Sequence, residues 1–224
     1  MSRLYSRSLG LALLVTAPFA LLGPVGCADN KSTIFIRHVL AKPDDCLFKP
    51  DPAGAFIGQG TLDLQFTDTY SPFVLVGNQM VAQGDDDTLK TETSRIQLQG
   101  AEVSLTTAAG SEVANYTTTI SGTIDPEPGA DAGYGVTQVV MIPPGAVSAP
   151  GSYIAKVTVF GETLGNQDVE TGEFSFPIEV CDGCLVFFNK DSQDAGTCVA
   201  PTGDPVGLCL PGQDGPTDCS LIPR

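Results

Sequence analysis

The sequence predicts an all-β fold, an antiparallel β-sandwich of about eight or nine strands with an irregular, disulfide-rich C-terminal tail. Three observations carry the prediction. Short runs of alternating apolar and polar residues recur from residue 33 to residue 180, the two-residue period of a strand with one buried face. Turn residues separate the runs: the chain has 25 glycines and 17 prolines but no tryptophan, a balance that suits strands and turns over helices. From Asn189 onward large apolar residues become scarce while cysteines crowd together, so that stretch cannot build a core of its own.

The first predicted strand covers residues 33–40. The next, 60–66, alternates cleanly, with Leu62, Leu64 and Phe66 on one face and Thr61, Asp63 and Gln65 on the other. Residues 73–82 and 95–99 follow, and the acidic run Asp85, Asp86 and Asp87 after Gly84 reads as a solvated hairpin tip between them. Residues 102–105, 116–121 and 136–142 are further strands, and Asp125-Pro126-Glu127-Pro128 reads as a connector. In the last two strands Tyr153, Ala155, Val157 and Val159 share one face, and Phe174, Phe176, Ile178 and Val180 share another. Residues 161–172 form a polar hairpin connection between them. Pro177 has no N–H to give a neighbour, which predicts a strand at a sheet edge. The organisation is thus an export segment at 1–26, a linker at 27–32, a sandwich at 33–188 and a Cys-rich tail at 189–224.

The segment Pro150-Gly-Ser-Tyr-Ile-Ala-Lys-Val-Thr-Val159 resembles a late strand of immunoglobulin-like and fibronectin-type domains. In those domains a Gly-x-Tyr sequence leads into an alternating strand, and the tyrosine hydroxyl ties the corner to nearby backbone. The resemblance covers about residues 152–180 and implies an immunoglobulin-like architecture. The Cys-Trp-Cys core of antibody domains is missing, so the implication stops at architecture.

The N-terminus carries a different signal. Arg3 and Arg7 precede an apolar stretch at 9–22, and Gly23 and Gly26 follow it, the order of a secretory signal peptide. The stretch carries Pro18 and is shorter than the roughly 20 residues that span a bilayer. Gly23-Pro24-Val25-Gly26-Cys27 resembles the lipobox of bacterial lipoproteins, which implies lipidation of Cys27 as the mature N-terminus. Pro24 stands where lipoboxes favour an aliphatic residue, and ordinary cleavage after Ala28, giving a soluble product, stays open. Removing 1–26 takes away two arginines and no acid, so the net charge moves from −15 to −17. Nucleic acid and anionic membrane surfaces are poor partners for such a body, so membrane attachment would come from the lipid.

Beyond Cys27 stand six cysteines: Cys46, Cys181, Cys184, Cys198, Cys209 and Cys219. An even set in an exported chain predicts three disulfides, with 15 pairings open. Because the other five lie in the last 44 residues, full pairing would bond Cys46 to the C-terminal part of the chain. Cys181-Asp-Gly-Cys184 has the spacing of redox motifs and of half a zinc site, but it follows a strand, no βαβ pattern surrounds it and no second close pair exists, so structural disulfides are expected.

His38, the one histidine, lies inside a strand and is read as facing solvent or its sheet neighbours, because no nucleophile motif accompanies it. Neither Asp85–Asp87 nor Asn189, Asp191 and Asp194 before Gly196 has the order of a calcium loop. Asn115-Tyr-Thr117 matches a glycosylation sequon and is given no function, and Lys90, Glu92 and Arg95 suggest a surface salt bridge.

These observations predict a non-enzymatic lipoprotein of a bacterial envelope, placed at the outer membrane facing periplasm or surface, or else secreted. It would serve as a binding or structural module for an unidentified protein or glycan, with no cofactor, no metal and no catalytic residue assigned. The acidic surplus motivates two other readings, a carboxylate-dependent secreted hydrolase and a calcium-dependent adhesion module.

Overall fold

Ala155, Val157 and Val159 recur at every second position, and in the computed structural model all three side chains are fully buried in the middle of the larger sheet. The structure describes residues 33–84, 90–127, 131–193 and 197–223. In chain order the strands are β1 (Ile34–Leu40), β2 (Phe56–Ile57), β3 (Gly60–Asp63), β4 (Phe73–Asn78), β5 (Ile96–Thr107) and β6 (Glu112–Ile124). They continue with β7 (Gly133–Gln138), β8 (Gly151–Thr163), β9 (Asp168–Glu170), β10 (Phe174–Cys181), β11 (Val186–Phe187) and β12 (Thr217–Asp218). Among the described residues, one short helix, α1 (Lys190–Gln193), and a 3-10 turn at Cys219–Leu221 complete the elements.

The strands form an all-β fold of two main sheets. The smaller has the order β2-β1-β4-β7 and is antiparallel throughout. The larger has the order β3-β10-β8-β5-β6, with β9 added beside the far end of β8. Its pairs are antiparallel except that β3 runs parallel to β10. A single apolar cluster joins the two: Ile34 and Val76 from the smaller sheet meet Val103, Val157 and Ile178 from the larger. Burying one such side chain is worth about 1.5–3 kcal/mol before entropy is counted, so this shared face is the main driving force.

Two glycines make the outer faces fit. A Cβ on Gly77 would come within 2.5 Å of the Phe35 ring, and one on Gly100 would collide with the Phe160 ring. Each glycine is the cross-strand partner of that phenylalanine, so the ring occupies the space that a side chain on the neighbouring strand would take.

Several sequence expectations are corrected. Residues 73–82 and 95–99 do not make a hairpin, because β4 and β5 belong to different sheets and the chain crosses between the layers. The acidic tip Asp85–Asp87 lies outside the described residues, as does Pro128 of the connector. Residues 95–99 and 102–105 are one long strand, β5, in which a register shift between Leu98 and Gly100 interrupts the alternation and made it read as two. The connection at 161–172 is itself structured: β8 runs on to Thr163 and β9 folds back on it. β10 is an interior strand, flanked by β8 and β3. Pro177 is accommodated because pairing with β3 begins one residue later, at Ile178.

β3 also ends early. The chain leaves the sheet at Asp63, whose carbonyl accepts from the N–H groups of Phe66 and Thr67. Asp63 is therefore buried where the alternation placed it toward solvent. At the start of β8 the Tyr153 hydroxyl donates to the Ala149 carbonyl at 3.3 Å, the backbone tie that the immunoglobulin-like resemblance implies.

Candidate functional site

The polar chemistry of the molecule gathers where the C-terminal segment docks on the free edge of β3. Residues 212–214 lie alongside this edge as an irregular strand. The Asp63 N–H donates to the Gly212 carbonyl at 2.9 Å, the Asp214 N–H donates to the Thr61 carbonyl at 3.0 Å, and Leu62 bridges Gln213. Edge N–H and C=O groups left open by the four-residue strand are thus satisfied by the tail.

The Asp214 carboxylate fixes this contact. One oxygen accepts from the Thr61 N–H at 2.8 Å, and the hydroxyl of fully buried Tyr70 donates to the other at 2.8 Å. Burial raises the Asp214 pKa above its usual 3.8, and the Thr61 N–H, the Tyr70 hydroxyl and the Lys42 ammonium only partly offset that. Tyr70 is pushed far upward, first by burial and then by the Asp214 charge, so its hydroxyl stays a donor. Nearby, Gln213 Oε1 accepts from the Ser71 N–H at 2.9 Å, and Lys42 Nζ donates to the Gln213 carbonyl at 2.9 Å.

Two further buried aspartates work the same way. Asp63 receives the N–H groups of Gln65 and Gly183 on one oxygen and of Leu185 on the other, at 3.0, 2.7 and 2.8 Å. It thereby pins the turn that the Cys181–Cys184 disulfide closes. Asp218 receives the N–H and hydroxyl of Ser220 and the amide of Asn189. Burial pushes its pKa up, but these donors prevail and it is lowered. The adjacent Cys198–Cys219 disulfide ties the tail to itself across 21 residues.

The structure therefore pairs four of the six predicted disulfide cysteines. Cys46 and Cys209 carry free thiols, so the expected third bond is not closed. The two thiols are neighbours, near enough for Cys46 to act on the Cys209 thiol. Burial is the main cause that raises the Cys209 pKa, and the Cys46 contact adds to it. Beside them, Lys42, Asp44, Cys209 and Asp214 help line an open cleft of about 500 Å³. Lys42 has its pKa lowered by burial, against the pull of Asp214 and the two cysteines.

Among the described residues, two groups of three metal-type ligands come together: Asp63 with Cys181 and Cys184, and Asp218 with Cys198 and Cys219. In both, the sulfurs are consumed in a disulfide and offer no thiolate. Asn189 is engaged as a helix cap, its Oδ1 accepting from the N–H groups of Asp191 and Ser192. Asp194 and Gly196 lie outside the described residues, as do Cys27 and the whole export segment.

His38 stacks on the Phe56 ring at 4.9 Å, and its pKa is lowered by burial and by Arg37. That is a packed sheet residue. The expected bridge among Lys90, Glu92 and Arg95 forms differently. Arg95 pairs with Asp125, while the Glu92 carboxylate accepts from the N–H groups of Gln83, Gly84 and Ser94. Asn115 lies within β6. Among the described residues no helix is long and apolar enough to cross a membrane.

Sequence reasoning missed Tyr70, Lys42, Asp63, Asp214 and Asp218. The one signal that could have found Asp214 is Gly212-Gln-Asp-Gly215, a turn sequence in an otherwise coreless tail. Asp63 carried none, because a polar residue in an alternating strand looks solvent-facing.

No protein-family model matches the sequence, and no curated protein matches it. Among solved structures, a late embryogenesis abundant (LEA) protein determined in solution overlaps with a TM-score of 0.30 at 12% identity, over 55% of this chain and 71% of that one. The alkylpurine DNA glycosylase AlkC of Pseudomonas fluorescens, bound to DNA containing an abasic site analogue, overlaps with a TM-score of 0.29 at 9% identity. That match spans 65% of this chain and 30% of the glycosylase. Overlaps this slight carry neither fold nor function to this chain.

Proposed function

We propose that the protein is an exported, membrane-anchored lipoprotein of a bacterial envelope whose β-sandwich body acts as a non-enzymatic binding or structural module. The observation that carries the reading is the pair of disulfides, Cys181–Cys184 and Cys198–Cys219, because such bonds persist in oxidising compartments outside the cytoplasm. They agree with the export segment read from residues 1–26, and neither of them uses Cys27. The buried carboxylates support a non-enzymatic role: Asp63, Asp214 and Asp218 each accept backbone N–H groups that hold the tail or its neighbouring turns. The finer architecture is read as immunoglobulin-like, supported by two layers of mostly antiparallel strands and by the Tyr153 tie to Ala149. Ala28 follows Cys27 where an Asp would favour retention in the inner membrane, which points to the outer membrane.

Intact-mass measurement on protein from the membrane fraction tests the anchor. A mature chain starting at Cys27 with added acyl mass is expected. A free N-terminus at Asp29 without acyl mass would instead establish cleavage after Ala28 and a soluble product.

A further inference from the structure

The geometry points to Cys46 and Cys209 as a dithiol that oxidises to a third disulfide, locking the loop after β1 to the docked tail. This inference needs no lipid on Cys27, so it stands or falls apart from the anchor. Four observations bring the two sulfurs together. The turn in which the Cys46 N–H donates to the Pro43 carbonyl folds Cys46 back toward Lys42. Lys42 reaches the tail and donates to the Gln213 carbonyl at 2.9 Å, while its side chain runs past Gly215. Pro43 and Asp44 face Leu208 and Cys209 across one cleft. The Cys46 thiol stands close enough to Cys209 to act on it, and is one of the causes that raise the Cys209 pKa.

Cys46 has φ 56°, a left-handed conformation that residues other than glycine adopt only at a cost. It is also the only exposed thiol of the pair, Cys209 being half-buried. That asymmetry sets the order of steps. Cys46 loses its proton and attacks one sulfur of an external disulfide, such as oxidised glutathione or an oxidised dithiol protein, releasing the other sulfur as a thiolate that takes up a proton. Cys209, deprotonated in turn beside the Lys42 ammonium, attacks the Cys46 sulfur and releases the second external thiolate. Two protein thiols are thereby oxidised to one bond, and one external disulfide is reduced to two thiols. The bond closes a loop of more than 100 residues and makes covalent a seam otherwise held by hydrogen bonds at Asp214, Gln213 and Lys42.

The test uses the full chain, equilibrated with mixtures of reduced and oxidised glutathione, alkylated, and mapped as peptides without reduction. The expected result is a peptide joining Cys46 to Cys209, appearing as alkylation of both is lost together, with Cys181–Cys184 and Cys198–Cys219 unchanged. In Cys46→Ser, Cys209 should lose its bonding partner and become alkylatable or glutathionylated, while the other two bonds persist. Cys46 bonded to any other cysteine would overturn the inference. So would both thiols remaining alkylatable, or carrying glutathione singly, in oxidised glutathione.

Discussion

The sandwich and the tail are held by opposite means. In the sandwich, β1 and β4 face β5, β8 and β10 across an apolar layer, and Leu105, Val157 and Ile178 are essentially without exposure. In the tail, the buried side chains among the described residues are Asn189, Ser192, Gln213, Thr217, Asp218 and Cys219, and what holds them is hydrogen bonds and a disulfide. The difference teaches how a segment too poor in apolar residues to fold alone still acquires one position. It completes the hydrogen bonds of a short edge strand, and carboxylates answer the N–H groups that its turns leave open.

That contrast can be broken by substitution, and the largest effect belongs to the apolar layer. Leu105→Ala should lower unfolding free energy by about 4 kcal/mol in urea titration, because the cavity adds to the lost transfer energy. A loss below about 1 kcal/mol would mean the layer is far looser than its burial implies. Next comes the double variant Cys198→Ser, Cys219→Ser. Opening a 21-residue separation should cost about 3 kcal/mol in the chain-entropy picture, and the tail should become cleavable by protease while the sandwich stays folded. If the whole chain is digested at one rate, tail and sandwich are a single cooperative unit.

Asp63→Ala follows, at about 2–3 kcal/mol, since it strips the partner from the N–H groups of Gln65, Gly183 and Leu185 at once. Asp63→Asn should cost less, because the amide oxygen still accepts; equal losses for the two variants would assign the effect to charge and not to hydrogen bonding.

Much of the sandwich was legible in the residues, and little of the seam. Alternation located the strands that bury one face, such as 153–159 and 174–180, because a two-residue period is a direct print of a half-buried sheet. It failed where pairing is not periodic. The register shift at Gly100 split β5, and the two-residue β2 and β11 are too short to show a period. Cysteine parity foresaw disulfides but not partners, since loop-closure entropy ranks pairings only weakly. Asp214 and Tyr70 lie 144 residues apart, and no local pattern marks a hydrogen bond made across that separation.

The smallest effect is in pH. Glu92 has its folded pKa lowered below 4.5: burial raises it, and the Gly84, Ser94 and Gln83 N–H groups prevail. Its stabilisation is therefore present above the unfolded value and lost as pH falls through the folded one. Asp214 has the opposite sign. Its folded pKa is raised above 3.8, so it costs stability as pH rises from 3.8 through the folded value. Melting temperatures between about pH 3 and 7 should show Glu92→Gln flattening the acid-side decline and Asp214→Asn removing a drop on the rising side. Identical curves for Asp214→Asn and the unsubstituted protein would place that carboxylate in water.

Amide hydrogen exchange on the unsubstituted protein and Asp214→Ala tests most directly whether polar pairing to β3 holds the tail. Removal of the carboxylate should speed exchange at the amides of Thr61, Gly212, Asp214 and Thr217, while those of β5 and β8 stay as slow as before. Exchange that quickens equally in β5, β8 and the tail, or tail amides already unprotected without the substitution, would contradict the account.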